Sequence, residues 1–266
     1  MATPRWSVFN RLDKPAHDQG LTLNGLPLSE WGLMLLDSGL ELQSPESRVT
    51  SKEMPGLHGV LDTTLLDETG RPYLGQRECV IHVATTGDEP EYMETRASIM
   101  RLMGETVTVG WRTWPGTGSG RLTVGDWSVQ RDWHGRFAWA GVDLTVLMEP
   151  FLEGMAHEFV ATVSDSTVYV DTDGPVRPTI TSVPPNGTKR LYLTVGGRQL
   201  VYNFPGNGAG GNTPLVVDCE NRQSTFGGTP IFPTIDSDYP VLLPGVNHVQ
   251  TSAGEMTVTY RPHHLI

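Results

Sequence analysis

Two glycine-containing patterns in the chain could serve phosphate binding or nucleophilic catalysis. Residues 206–211 (GNGAGG) formally match GxGxxG, which binds a pyrophosphate when it joins a strand to the start of a helix. Here the strand-like LVVD at 215–218 follows instead, so the pattern favours a hairpin loop. The triplet 118–120 (GSG) lacks the glycine spacing of a nucleophile elbow. Neither pattern predicts an active site.

Two pairs of carboxylates stand two residues apart, Asp171 with Asp173 and Asp236 with Asp238. Such pairs can act as acid and base or ligate calcium. Both pairs lie in turn-like segments, where Asp is common because its side chain accepts hydrogen bonds from the local backbone. The eight histidines show no metal-ligand spacing. We therefore predict no enzyme activity, no metal and no cofactor, and expect a structural or assembly role.

The charge balance argues against tight nucleic-acid binding. The formal net charge is −11, and residues 1–155 contribute −8 of it, from 13 basic and 21 acidic residues. Phosphate neutralisation needs clustered Lys and Arg, which an acidic chain does not offer. Cys79 and Cys219 lie far apart and predict no disulfide framework. No apolar run is long enough for a membrane span, and the polar N-terminus resembles no signal peptide, so we expect synthesis in a cytoplasm without membrane insertion.

The first part of the chain predicts a mixed β domain with one helix. Residues 1–20 are interpreted as a polar N-terminal arm, with a first edge strand as the alternative. Asn24-Gly25 between leucine-rich runs predicts a tight hairpin. Asp88 and Glu91 form a capping box for a helix over 91–103, whose methionine-rich face is expected to pack on the sheet. Alternation predicts strands at 75–85, 105–114, 121–127 and 136–148, with a turn at 115–120.

The second part predicts a sandwich. Pro and Gly interrupt the pattern at 149–154, and short strands then alternate with turn residues to the end of the sequence. This pattern favours an antiparallel β-sandwich of jelly-roll type. All seven tryptophans precede residue 140, and core packing is the first explanation for most of them. We predict an arm at 1–20, a first domain at 21–154 and a second domain at 155–266.

Several motifs, in this order, resemble the distal tail protein family of long, non-contractile-tailed phages. They are the hairpin Leu23-Asn24-Gly25, the PGxxG segment at 55–59, the single helix, and the strand that runs into Pro150. A galectin-like sandwich would follow, with motifs that resemble residues 174–180 (GPVRPTI), 216–218 (VVD), 243–247 (LPGVN) and 255–261 as the last strand. The resemblance covers about residues 21–266.

The resemblance implies a mainly β virion protein at the phage tail tip, made in the cytoplasm of the host bacterium. It implies a homo-oligomeric ring, a hexamer in most members, that joins the tail-tube protein to a tail-tip protein. DNA would pass through the ring without specific binding, and the galectin-like domains would face outward. Under this hypothesis the oligomer interface includes an extended arm and two tryptophans, namely Gln43, Ser44, Pro45, Glu46, Ser47, Arg48, Trp111 and Trp114.

A carbohydrate-binding accessory tail protein is the alternative. Jelly rolls bind sugars on exposed aromatic side chains, and the second domain contains tyrosines but no tryptophan. Tyr202 and Tyr239 are the candidate contacts with a host cell-wall glycan.

Overall fold

A computed structural model describes residues 19–53, 56 and 58–266. The predicted arm at 1–20 lies outside these residues except for its last two positions. So do Pro55 and Leu57 of the PGxxG segment. The chain forms two compact units, and the second includes a short segment from the first half of the sequence: residues Leu66–Arg71 join Glu153–Leu265. The sequence had not placed that segment there.

The described residues of the first unit form one α-helix, one 3-10 helix (Leu28–Trp31) and short to long strands. The helix α1 spans Glu89–Arg101. The strands are β1 (Leu21–Leu23), β2 (Leu26–Pro27), β3 (Leu33–Leu42), β4 (Ser51–Glu53), β5 (Val60–Asp62), β6 (Arg77–Thr85), β7 (Thr106–Trp111), β8 (Gly116–Val124), β9 (Ser128–Arg131) and β10 (Phe137–Met148). The strand β11 (Leu152–Gly154) spans the boundary between the units in the sequence.

One antiparallel sheet organises this unit. Its strands follow the order β2-β1-β7-β8-β10-β6-β3, and β9 pairs with the start of β10. The long strands β6 and β10 direct alternate residues into a core, such as Ile81, Val83, Leu144 and Val146. The residues that alternate with these along each strand point to the opposite face of the sheet, which we call its outer face. The predicted Asn24-Gly25 hairpin is present, with positive φ at both residues (52° and 75°), as a two-residue turn of this kind requires.

The predicted turn at 115–120 is wrong, because residues 116–120 begin β8. Glycine is a weak strand former, but it is needed here for close packing. A Cβ at Gly118 would collide with the side chain of Met148, and one at Gly120 would collide with the backbone of Leu147 on the neighbouring strand. The glycines therefore mark a close approach of β8 to β10 rather than a chain reversal.

The capping box of α1 is confirmed, but its predicted buried face is wrong. The Asp88 side chain accepts a hydrogen bond from the Glu91 amide, and the Glu91 carboxylate accepts one from the Asp88 amide. The helix buries Tyr92, Thr95 and Ile99, whereas its methionines remain exposed. The expected stripe was too broad. One narrow face at i, i+3 and i+7 covers the core, and the methionines flank it.

The second unit is built from antiparallel strands. They are β12 (His157–Ala161), β13 (Ser166–Val170), β14 (Thr179–Ser182), β15 (Arg190–Val195), β16 (Arg198–Asn203), β17 (Leu215–Asp218), β18 (Gln223–Phe226), β19 (Thr229–Pro230), β20 (Gly245–Thr251), β21 (Met256–Tyr260) and β22 (His263–His264). One sheet has the order β12-β21-β14-β17-β18-β19 and the other β13-β20-β15-β16.

The two sheets of this unit enclose its core. Ile180 and Val258 come from the six-stranded sheet, Leu193 and Val249 from the four-stranded sheet, and all four are buried in one cluster. The GxGxxG-like loop at 206–211 leads into the strand β17, not into a helix, as the sequence predicted. The mainly β fold with one α-helix and a C-terminal sandwich is thus confirmed.

Candidate interaction surfaces

The segment predicted as an interface arm runs beside residues 74–78, which lead into β6 and form its start. The Gln43 amide donates to the Glu78 carbonyl over 2.9 Å, the Gly75 amide to the Glu46 carbonyl over 2.7 Å, and Ser47 forms a bridge with Leu74. Backbone pairing therefore holds residues 43–48 in place. Apart from a half-buried Pro45, their side chains are exposed. They are open to a neighbouring molecule.

This segment continues into a two-stranded ribbon, which we define as β4 and β5. Lys52 pairs with Leu61 and Glu53 with Val60. All six residues of the ribbon are exposed, including Val60 at 57% and Leu61 at 43%. A ribbon with no buried face and two open apolar side chains is typical of a segment that is covered by a partner.

The two tryptophans predicted as interface residues line an apolar groove. Trp111 ends β7, Trp114 lies in the turn that follows, and the Trp114 amide donates to the Trp111 carbonyl over 2.8 Å. The groove also takes its walls from β3 and has a volume of about 650 Å³. Asp37 and Thr113 are among its polar lining residues. Most of the lining is aliphatic or aromatic, namely Leu35, Leu36, Leu40, Leu42, Trp111 and Trp114.

The sequence reading missed a charged row across the outer face of the first sheet. His82 on β6 lies opposite Asp143 on β10, and their Nδ1 and Oδ1 atoms are 2.7 Å apart. The Nε2 atom of His82 is 3.6 Å from a carboxylate oxygen of Glu41 on β3. The two carboxylates thus flank one imidazole across three adjacent strands. The alternation of each strand could have placed these three side chains on the outer face, but no motif in the sequence connects them.

In the second unit, the two predicted glycan contacts are not open platforms. The ring of Tyr202 is fully buried, and its hydroxyl lies 2.6 Å from the Ser224 hydroxyl. Burial, partly offset by the Ser224 hydrogen bond, raises the pKa of Tyr202. Tyr239 is half-buried and donates its hydroxyl to the Arg222 carbonyl over 2.9 Å. These contacts fit a structural role for both side chains.

An exposed aromatic residue does exist on the outer face of the four-stranded sheet. Tyr169 on β13 is 72% exposed and lies opposite Val246 on β20, which is 67% exposed. On the same sheet, the Arg190 guanidinium lies 5.0 Å from the ring centre of Tyr192. Tyr169 was not among the predicted glycan contacts.

The predicted carboxylate pairs sit in ordinary structural contacts. Asp173 accepts a hydrogen bond from the Leu265 amide over 2.8 Å, and Asp238 lies 3.7 Å from Arg198. Within the described ranges, no three His, Cys, Asp or Glu side chains are placed to hold a metal ion. Elsewhere in the second unit, the Arg177 guanidinium lies 2.9 Å from Glu68. That ion pair attaches the segment Leu66–Arg71.

Both cysteines are free and buried, one in each unit. Burial raises the pKa of the Cys79 thiol to about 12, and that of Cys219 also to about 12. A thiol with so high a pKa is a poor nucleophile at neutral pH. No helix among the described residues is long and apolar enough to cross a membrane.

Comparison with known proteins agrees with the fold described above. Residues 171–264 match the model of the siphovirus-type tail component, C-terminal domain. The fold resembles the crystal structure of the SPP1 Dit protein, described as a paradigm of the hub adsorption apparatus in phages that infect Gram-positive bacteria. The TM-score is 0.70 at 16% identity, covering 92% of this chain and 99% of that one. A chain of the phage p2 baseplate matches at a TM-score of 0.41 and 9% identity, covering 88% of this chain and 92% of that one. No curated protein matches the sequence.

The family match covers residues 171–264 of the second unit, and the likeness in fold extends over both units. The match of residues 171–264 to a siphovirus-type tail component agrees with the resemblance that the motifs predicted.

Proposed function

We propose that the protein forms a homo-oligomeric ring, a hexamer, that joins the tail-tube protein to the tail-tip protein and lets DNA pass through its centre. The family match at 171–264 carries this proposal. The first unit adds physical support, because its described residues leave uncovered both an apolar groove and a ribbon with two exposed apolar side chains. We infer no enzymatic activity, and we place its synthesis in the cytoplasm of the host bacterium.

The outer face of the first sheet supports passage of DNA without binding. Glu41, Glu78 and Asp143 all lie on this face, opposite the core residues of β3, β6 and β10. Carboxylates repel phosphate, and these three outnumber Arg121, which shares the face on β8, so this surface would not hold a duplex. We propose that this face lines the channel of the ring.

Electron microscopy and light scattering of the purified protein test the ring. We expect annular particles with six-fold symmetry and a mass of about six chains of 29.1 kDa. A protein that stays monomeric at high concentration, both alone and when mixed with the tail-tube protein, would contradict the proposal. A second measurement tests whether the protein binds duplex DNA at low salt, and we expect no binding. Charge reversal of Glu41 and Asp143 to Lys should create salt-sensitive binding.

Binding of a host-surface glycan is a second candidate function, favoured by the exposure of Tyr169. We propose the outer face of the four-stranded sheet as its site in place of Tyr202 and Tyr239. Pull-down of the full chain on host cell-wall polysaccharide should then be reduced by Tyr169→Ala and unaffected by Tyr239→Phe. Equal retention of both variants would exclude this face, and no retention of the wild-type protein would exclude the function.

A further inference from the structure

The ribbon of the first unit does not bury enough surface to be stable by itself. An isolated two-stranded ribbon is at best marginally stable in water, and stability comes from packing one face on another element. Here no described residue covers either face, since β4 and β5 are exposed at every position. The ribbon has a fixed register nevertheless, and Thr63 extends it by donating its amide to the Thr50 carbonyl over 2.9 Å.

The two faces of the ribbon differ in chemistry. Residues directly opposite each other in an antiparallel pair point to the same side, and neighbours along a strand point to opposite sides. Lys52 and Leu61 therefore share one face, whereas Glu53 and Val60 share the other. The first face combines a leucine with a positive charge, and the second combines a valine with a negative charge.

The groove of the same unit is complementary to the face that carries Lys52 and Leu61. Its walls are leucines and tryptophans that are only partly buried against the core, and its charged residue is Asp37. A leucine inserted into such a groove removes apolar surface from water on both sides. Lys52, beside that leucine, would then be close to Asp37. The opposite face would bring Glu53 toward Asp37 and is disfavoured by like charge.

We propose that the ribbon of one copy of this chain docks, through Leu61 and Lys52, into the Leu/Trp groove of a second copy. The ribbon and the groove are different surfaces of one unit, and both are open on the same molecule. The contact is therefore heterologous, and repetition of a heterologous contact closes into a ring when its rotation permits. This inference deepens the proposed ring function by naming the interface, and it rests on that function.

Cross-linking of single-cysteine variants tests the contact directly. Both native thiols are buried and have raised pKa values, so introduced cysteines react selectively. Full-length chains carrying Leu61→Cys and Thr113→Cys are co-expressed with different tags and treated with a short bismaleimide. We expect a cross-linked dimer that carries both tags. Leu61→Cys alone should give none, and strong self-cross-linking of that variant would indicate a symmetric contact and overturn the proposal.

Charge reversal provides the energetic test. Lys52→Asp and Asp37→Lys should each weaken association between copies about tenfold, and the double variant should recover most of the loss. Leu61→Asp should dissociate the rings, whereas Val60→Asp on the other face is the matched control and should leave them intact. Circular dichroism confirms that each variant is folded.

The results of these experiments distinguish the proposed docking contact from the proposed hub function. Rings that survive Leu61→Asp as well as Val60→Asp would overturn the docking proposal and leave the hub function in place. Absence of rings in the wild-type protein, with and without the tail-tube protein, would overturn both.

Discussion

The buried hydrogen bond between Tyr202 and Ser224 offers a direct measurement of what Tyr202 does. Both side chains belong to the interior of the second unit, with exposed fractions of 0% and 6%, and their hydroxyl oxygens are 2.6 Å apart. Tyr202→Phe removes one hydroxyl and leaves the other buried without this partner. The expected loss in the free energy of unfolding is about 1–3 kcal/mol, because the desolvation of the remaining hydroxyl is no longer compensated.

This loss translates into a measurable shift of the melting temperature. The second unit has about 120 residues. For a unit of that size, each kcal/mol lowers Tm by roughly 3–5 °C, so Tyr202→Phe should lower the transition of this unit by roughly 3–15 °C. Differential scanning calorimetry of the full chain measures the shift. Tyr169→Phe is the matched control, since its exposed ring should change stability by no more than about 0.5 kcal/mol.

A double-mutant cycle then isolates the pair. Ser224→Ala alone should also destabilise, because it leaves the tyrosine hydroxyl buried without its acceptor or donor. The double variant Tyr202→Phe with Ser224→Ala should be less destabilised than the sum of the two single variants. Additive losses, or a Tyr202→Phe variant as stable as Tyr169→Phe, would refute the structural assignment. Retained stability together with lost glycan binding would instead restore Tyr202 as a contact.

Three further predictions concern the cap, a close approach of two strands and the thiols. Asp88→Ala should lower the stability of the first unit by about 1 kcal/mol in urea unfolding, because the Glu91 amide loses its acceptor. Gly120→Ala should cost about 1–3 kcal/mol or more in the same assay, since the added methyl would overlap the backbone of Leu147. At pH 8 a thiol reagent should modify neither Cys79 nor Cys219 in the native protein and both after unfolding. Burial raises the pKa of both thiols from 9.0 to about 12, so their contribution to stability should be constant below about pH 9 and fall as the pH rises toward 12.

Features set by local backbone chemistry could be predicted from the sequence. The Asn24-Gly25 hairpin, the capping box at Asp88 and the loop at 206–211 all depend on residues within a few positions of one another. Features set by contacts between distant residues could not. Nothing near Gly118 reveals that Met148 packs against it across the sheet, and the helix sequence alone does not say which of two flanking stripes meets the core.

The positions of the tryptophan side chains also could not be predicted from the sequence alone. Trp127 packs edge-on against the buried Tyr92, with ring centres 5.5 Å apart, and belongs to the core region. Trp139 lies with Met34 on the other face of the sheet, and Trp133 is 75% exposed in a loop. Trp111 and Trp114 line the groove. Composition indicated an aromatic-rich first unit, but only the register of the strands assigns each ring to core, surface or groove.

The low identity to the SPP1 Dit protein follows from how this fold is specified. A half-buried strand accepts any apolar residue of suitable size at alternate positions, so two chains can share a sheet with few identical residues. Turns are more restrictive, because Asn24, Gly25 and Gly245 adopt positive φ angles that most side chains disfavour. The motifs that carried the family resemblance include these three residues. A 16% identity beside a TM-score of 0.70 is therefore compatible with a sequence reading that depended on the order and spacing of turns rather than on core residues.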